Sequence, residues 1–157
     1  MPILNIQLAG QDPSGNQIPA FVALQQRGPV VQVSVSVEQN IARQLLAQGI
    51  ALPAPETGFA LIDTGATSTC IDEAAAARLR LPAIDVVTVA SASHASTQQN
   101  VHPIQIQVIG LPITISAPRA TAAPLAAQGL LVLIGRDVLQ HCTLFYNGPT
   151  GSFSLSV

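Results

Sequence analysis

The chain has 157 residues, of which 48% are hydrophobic and 9% charged, with no Trp and one Tyr. That length suits one domain with a proper core, and so apolar a chain with so little charge is not a disordered one. A net charge of -2 provides no basic footprint for nucleic acid, and no apolar run approaches the length of a membrane span.

A surface this poor in charge predicts that a partner covers part of it. The start, Met1-Pro2-Ile3-Leu4-Asn5, has neither a basic n-region nor an apolar h-region, so we expect no signal peptide and a soluble, cytoplasmic protein. Cys70 and Cys142 are the only cysteines, and two cysteines in such a chain read as buried free thiols rather than a disulfide framework.

In chain order, residues 3–8 alternate apolar and polar as a half-buried strand does. Residues 10–16, Gly-Gln-Asp-Pro-Ser-Gly-Asn, form a dense turn signal. Residues 20–24 are a second short apolar segment, and the two segments form an N-terminal hairpin or add an edge to the main sheet. Arg27-Gly28-Pro29 breaks the chain. Val31, Val33, Val35 and Val37 then alternate strictly with Gln32, Ser34 and Ser36, the clearest strand of all. Over residues 38–48 the period changes: Ile41, Leu45 and Leu46 stand at helical spacing and Gly49 follows as a stop.

Residues 59–63 read as a short buried strand ending in a turn. Asp72 is a plausible N-cap for a short Ala-rich helix that Pro82 stops. Residues 84–90 and 101–109 alternate as two strands, joined by the small, polar, uncharged stretch 91–100. Such a hairpin cannot bury its own end, so it is a surface arm or a cover. Residues 111–116 are another strand, and 118–128, rich in Ala and Pro, have no clear pattern. Residues 130–134 are a buried strand, 135–141 a short helix, and 142–146 and 152–157 strands around the turn at 147–151. The sum is an all-β domain of many short strands with two or three short helices, a single domain over 1–157.

Chemistry concentrates at Leu61-Ile62-Asp63-Thr64-Gly65-Ala66-Thr67. An aspartate at the mouth of a buried strand is costly unless hydrogen bonds or function hold it there. Gly65 lets its N–H approach a carboxylate, and Thr64 offers a hydroxyl that both donates and accepts. By itself this reads equally as a strand end with an Asx-type turn. About seventy residues later comes Leu133-Ile134-Gly135-Arg136-Asp137-Val138-Leu139, followed by Cys142-Thr143-Leu144.

Both segments, in this order and with a hairpin between them, resemble the retropepsins, the retroviral-type single-domain aspartic proteases. The resemblance covers about residues 57–147, leaving 1–50 as an N-terminal extension. It implies an acid-protease barrel with a flap hairpin, and an aspartic endopeptidase that needs no cofactor or metal. It makes Asp63 the general acid/base holding the attacking water. Thr64 bonds across a dimer axis, and Gly65 supports the carboxylate through its N–H while its carbonyl faces substrate. Ala66 and Thr67, together with Ala92, Ser93, His94 and Ala95 at the flap tip, contact an extended peptide. Ile134, Gly135, Arg136 and Asp137 support the site.

Carboxylate-driven peptide hydrolysis needs one group as base and another as acid, and two carboxylates held together share a proton. The chain holds one Asp-Thr-Gly and no second copy. The second aspartate therefore comes from another molecule, which predicts a C2 homodimer. The alternative is a dimer on the same fold that binds peptide without turnover or processes only itself. Because Ala66 has no side-chain donor for the pair, we expect a mildly rather than strongly acidic pH optimum.

There are departures from the retroviral pattern. The aspartate that pairs with the late-motif arginine, four positions past the catalytic one, is Thr67 here, so Arg136 lacks that partner. The flap tip lacks glycines. Retroviral dimers are tied by their chain termini, a task the C-terminal hairpin could perform alone. His94, His102 and His141 have no partners at ligand spacing, so no zinc site is expected. No serine has a nucleophile-elbow setting.

Overall fold

The structure is a computed structural model describing residues 2–91 and 94–156. Its strands are β1 (Ile3–Gln7), β2 (Gly10–Gln11), β3 (Gln17–Ile18), β4 (Val30–Val37), β5 (Glu56–Ile62), β6 (Cys70–Asp72), β7 (Asp85–Ser91), β8 (His94–Val108), β9 (Thr114–Ala123), β10 (Val132–Ile134), β11 (Thr143–Asn147) and β12 (Ser152–Ser156). Its helices are α1 (Ala20–Arg27), α2 (Gln39–Ala47), α3 (Glu73–Arg78) and α4 (Arg136–Leu139), with one 3-10 turn at Ala126–Gln128. No helix among the described residues is long and apolar enough to cross a membrane.

The main sheet runs β4-β5-β10-β6-β9-β8-β7, and β4 also pairs with β8. That extra pairing closes six strands into a barrel and leaves β7 outside, bonded to β8 alone. The alternation of β4 sets its inner face: Val31, Val33, Val35 and Val37 are buried, while Gln32 points out. They meet Ala60 and Ile62 of β5, Ile104 and Ile106 of β8, and Val132 and Ile134 of β10 in one core. The closed barrel of short strands is the all-β architecture expected from the resemblance.

Four elements differ from expectation. Residues 20–24 are helix, not strand, so the described residues hold four α-helices rather than two or three. Ala20, Ala23 and Leu24 stand at i, i+3 and i+4; Ala23 and Leu24 are buried, and Pro19 and Gly28 bracket the helix as start and stop. The first strand joins neither an N-terminal hairpin nor the main sheet. β1 pairs with β12, and β12 with β11, as a separate three-stranded sheet.

The hairpin arm has a far shorter tip than residues 91–100. Gln99 pairs with Val87, Gln98 with Thr88 and Thr97 with Val89. These polar residues escape an apolar pattern because the arm leaves the barrel and buries neither face. Finally, part of the patternless 118–128 stretch is strand. β9 continues to Ala123, with its register shifted opposite His102/Ile104. The prolines Pro103 and Pro118 sit at that irregularity, where a missing N–H is tolerated.

β1, β12 and β11 pack inward through Leu4, Ile6, Phe153, Leu155 and Leu144. Gly151 brings this sheet against α1: its φ is +65°, and a Cβ there would collide with the Ala20 carbonyl group. The N-terminal third is thus part of the body, supplying a barrel strand and an edge of the terminal sheet.

Candidate functional site

Strand β10 inserts between β5 and β6, parallel to the first and antiparallel to the second. This long-range insertion brings the two sequence motifs side by side. Asp63, the first residue past β5, donates its N–H to the Ile134 carbonyl at 3.0 Å. Its carboxylate Oδ1 accepts from the Gly65 N–H at 2.8 Å, and its carbonyl accepts from Ala66 N–H at 3.3 Å. The expected Asx-type turn is therefore present, with Gly65 supporting the carboxylate through its N–H. Asp63 and Ala66 are half-buried, while Thr64, Gly65 and Thr67 are exposed. Solvent thus reaches the turn.

The late motif holds this turn from behind. Arg136 N–H donates to the Ala66 carbonyl at 2.9 Å and Asp137 N–H to the Thr67 carbonyl at 3.3 Å. Asp137 accepts from Thr69 twice, from its N–H at 3.0 Å and its hydroxyl at 2.8 Å, and from Val138 N–H at 3.0 Å. The Thr69 Oγ1 in turn accepts from Gly135 N–H at 3.2 Å. Thr69 is fully buried, so this closed network is what allows a polar side chain there. Sequence reasoning missed Thr69, because its partner lies 68 residues away and nothing local marks it.

Arg136 has partners after all. Its Nη1 donates to the Thr64 carbonyl at 2.9 Å and the Gly65 carbonyl at 3.2 Å, and its Nη2 to the Thr67 hydroxyl at 3.0 Å. The hydroxyl stands where a carboxylate was expected and takes over its task without the charge. The Gly65 carbonyl, expected to face substrate, already carries this bond and keeps only its second lone pair for another donor. Arg136→Lys keeps the charge but loses the fork that serves three acceptors. We expect it to cost about 1–2 kcal/mol of stability and to lower kcat/KM, as thermal melts and peptide-cleavage rates will show.

Ala92 and Ser93 lie outside the described residues, as do the side chains of His94 and Ala95. The arm that carries them, β7 with the first half of β8, leaves Val86 and Val89 exposed.

Two cavities matter. The larger, about 480 Å³, lies between α3 and the root of the arm, against Glu73, Arg80, Gln98 and His102. Neither cavity is lined by residues 63–67 of the Asp63 turn. The smaller, about 330 Å³, is floored by Val30, Phe59, Leu61 and Leu130, with Arg27 and Gln128 at its rim. We take this one as the relevant cavity, because Phe59, Leu61 and Asp63 alternate onto one face of β5. Arg27 lies over the Phe59 ring at 5.6 Å, a cation–π contact. These residues were not singled out from sequence; Arg27 reads there only as part of a chain break.

Cys70 and Cys142 are free and half-buried rather than fully buried. Burial pushes the Cys70 thiol up, and the negative charges of Asp137 and Asp63 add to it. At pH 8 Cys70 should therefore be alkylated more slowly than a free thiol. Asp63→Asn should speed the reaction, since it removes one of those charges; a mass-spectrometric alkylation time course checks both. Among the described residues, no three or more His, Cys, Asp or Glu gather where a metal could bind.

Residues 56–141, more than half of the chain, match the family model described as "gag-polyprotein putative aspartyl protease". Three solved structures are similar. The simian foamy virus (mac) protease, a solution structure, is 19% identical over 71% of this chain and 92% of its own, with a TM-score of 0.45. The foamy viral protease-reverse transcriptase in complex with RNA/DNA hybrid is 20% identical over 71% of this chain and 12% of its own, at TM-score 0.44. A retropepsin-like aspartic protease from Rickettsia conorii is 13% identical over 98% of this chain and 91% of its own, at TM-score 0.42. No curated protein sequence matches.

Proposed function

The chain belongs to the gag-polyprotein aspartyl protease family and is an aspartic endopeptidase, and from this we propose that it works only as a C2 homodimer whose two Asp63 residues form one catalytic pair. The observation that carries this reading is the Asp63 turn. It presents one carboxylate supported by one backbone N–H and is bonded from behind by Arg136 and Asp137. Peptide hydrolysis needs two such groups in different protonation states.

In the proposed cycle one Asp63 is ionised and the other protonated, with a water between them. The ionised carboxylate takes a proton from the water as its oxygen adds to the peptide carbonyl carbon. The protonated carboxyl gives its proton to the carbonyl oxygen. Collapse of the resulting diol breaks the C–N bond: one diol hydroxyl gives its proton to the ionised carboxylate as the leaving nitrogen takes the proton of the other, which restores the pair. Loss of the shared proton at high pH and gain of a second at low pH each stop the cycle, so the pH–rate profile is bell-shaped and belongs to the pair.

Thr64, exposed beside Asp63, is proposed to bond across the axis. Ala66, Thr67 and the arm tip (Ala92, Ser93, His94 and Ala95) are proposed to line the cleft for an extended peptide. Such a peptide binds by main-chain hydrogen bonds, as an added strand does. The cavity floored by Val30, Phe59 and Leu61 is proposed to take a large substrate side chain, its apolar floor setting size and Arg27 adding polarity at the rim. The test is cleavage of a peptide library by wild type and Asp63→Asn, alongside sedimentation. Equal cleavage by both chains removes Asp63 from the chemistry. Peptide binding with no cleavage by either chain makes the protein a binding module on this fold.

A further inference from the structure

The larger cavity, about 480 Å³, plays no part in the proposed cleavage, yet two elements turn chemistry toward it. From α3 and its end come Glu73, Ala76, Ala77 and Arg80, at i, i+3, i+4 and i+7, the spacing of one helical stripe. From β8 come Gln98, Asn100 and His102, alternate residues on one side of a strand. The body of the barrel and the root of the arm meet across this space.

We propose that this cavity binds a short peptide with both ends free, its ammonium group at Glu73 and its carboxylate at Arg80. Among the described residues the ion pairs are Arg78 with Glu56 and Arg119 with Asp85; Glu73 and Arg80 belong to neither. Their charges are opposite and stand at the two ends of the stripe, roughly 10 Å apart at the helical rise per residue. A ligand with one positive and one negative end satisfies both, whereas a simple anion or cation meets one like charge. Three residues of extended chain span roughly 10 Å, which sets the length at a tripeptide. Ala76, Ala77 and Ala122 leave room between the ends for small side chains, and the amides of Gln98 and Asn100 can both donate to and accept from a peptide backbone.

Two observations separate this cavity from a merely solvated charged face. The first is the conformation of Arg80. Its N–H bonds the Ala77 carbonyl at 3.0 Å and the Leu81 N–H bonds the Ala76 carbonyl at 3.1 Å, the pair of bonds that ends a helix at a left-handed residue. Glycine is the usual occupant. Arg80 has φ +50° and is the one non-glycine residue with positive φ among those described. A side chain there is strained, and a task for the guanidinium at the cavity offsets that strain.

The second is His102, which is 6% exposed. Its Nδ1 lies 3.0 Å from the Pro82 carbonyl, which only accepts, so Nδ1 carries the proton and Nε2 is left as the acceptor. Nε2 has no partner among the described residues and is not sealed off, so it opens on the cavity that the residue lines. A peptide N–H is the donor it lacks. Short peptides with two free ends are what endopeptidase cleavage releases, so the site fits products of the chain's own class of reaction.

The probe is trialanine, titrated calorimetrically into the full chain carrying Asp63→Asn, so that it is not cut. Trialanine with both ends free should bind. Acetylating its amine or amidating its carboxylate should each weaken binding at least about 10-fold, the scale of one lost charge-assisted hydrogen bond. Glu73→Gln should weaken the free peptide by a similar factor and leave the acetylated one unchanged, because both changes remove the same contact. Arg80→Gly should do the same with the amidated peptide, while the melting curve stays at or above that of the parent chain because glycine relieves the left-handed position. Should Arg80→Gly fold poorly, Glu73→Gln with the acetylated peptide decides alone. A failure of trialanine to bind, or binding that survives both substitutions and so lies elsewhere, overturns the proposal. Either result leaves the protease reading standing, since that is tested separately by cleavage with wild type and Asp63→Asn.

Discussion

Asp63→Asn should lower peptide cleavage at least about 10³-fold, the scale of a lost general acid/base, while leaving the melting curve of the chain nearly unchanged. Asparagine keeps an oxygen that can accept from the Gly65 N–H, so the turn survives; what disappears is the group that can hold or release a proton. The sharper result comes from mixing. With wild-type and Asp63→Asn chains allowed to exchange at equal amounts, a shared pair leaves activity at roughly one quarter of an equal total of wild type, since only wild-type pairs are complete. Independent sites would leave roughly one half. A value of one half would show that each copy carries a whole site.

Gly135→Ala should be among the most damaging single-methyl additions in the chain. A Cβ at Gly135 would lie 2.5 Å from the Ser68 carbonyl carbon, 2.6 Å from its oxygen and 2.9 Å from the Thr69 nitrogen. These are backbone atoms and cannot rotate aside. The φ of Gly135, -91°, is open to any residue, so glycine is needed here for space and not for conformation. We expect a loss of about 3 kcal/mol, the upper part of the overpacking range, or roughly 6–12 °C in Tm for a chain this size. Activity should fall further than stability. The displaced segment includes the Thr69–Asp137 network and the Arg136 bonds to the Asp63 turn. A melt and a cleavage assay below the melting temperature separate the two effects. An alanine variant as stable and active as wild type would mean the two motifs do not pack as closely as described.

Recognition from sequence worked where the physics is local. The Asp63 turn is closed by a bond spanning two residues. The β4 alternation is a period-2 pattern with one buried face, and Asp72 caps α3 three residues on, at Ala75 N–H. It failed where a decision depended on a partner distant in the chain. Arg136 lacks a carboxylate partner in the sequence, and its acceptors are instead two carbonyls and a hydroxyl about seventy residues away. Residues 94–100, the first half of β8, read as part of the hairpin tip because a strand with two exposed faces carries no apolar period. The helix at Ala20–Arg27 was read as strand because its apolar residues occupy only its first five positions.

By itself, then, the sequence determined that this chain has a buried strand ending in an Asp-Thr-Gly turn, a late glycine-arginine-aspartate segment to back it, and only one such turn. These follow from residue types, short turns and a count. Only the tertiary structure decided how the parts meet. It inserted β10 between β5 and β6, gave Arg136 its acceptors, closed the barrel through β4 and β8, and paired β1 with β12. Strand pairing over such distances is set by which edges remain open once the core is buried, and no window of sequence contains that information.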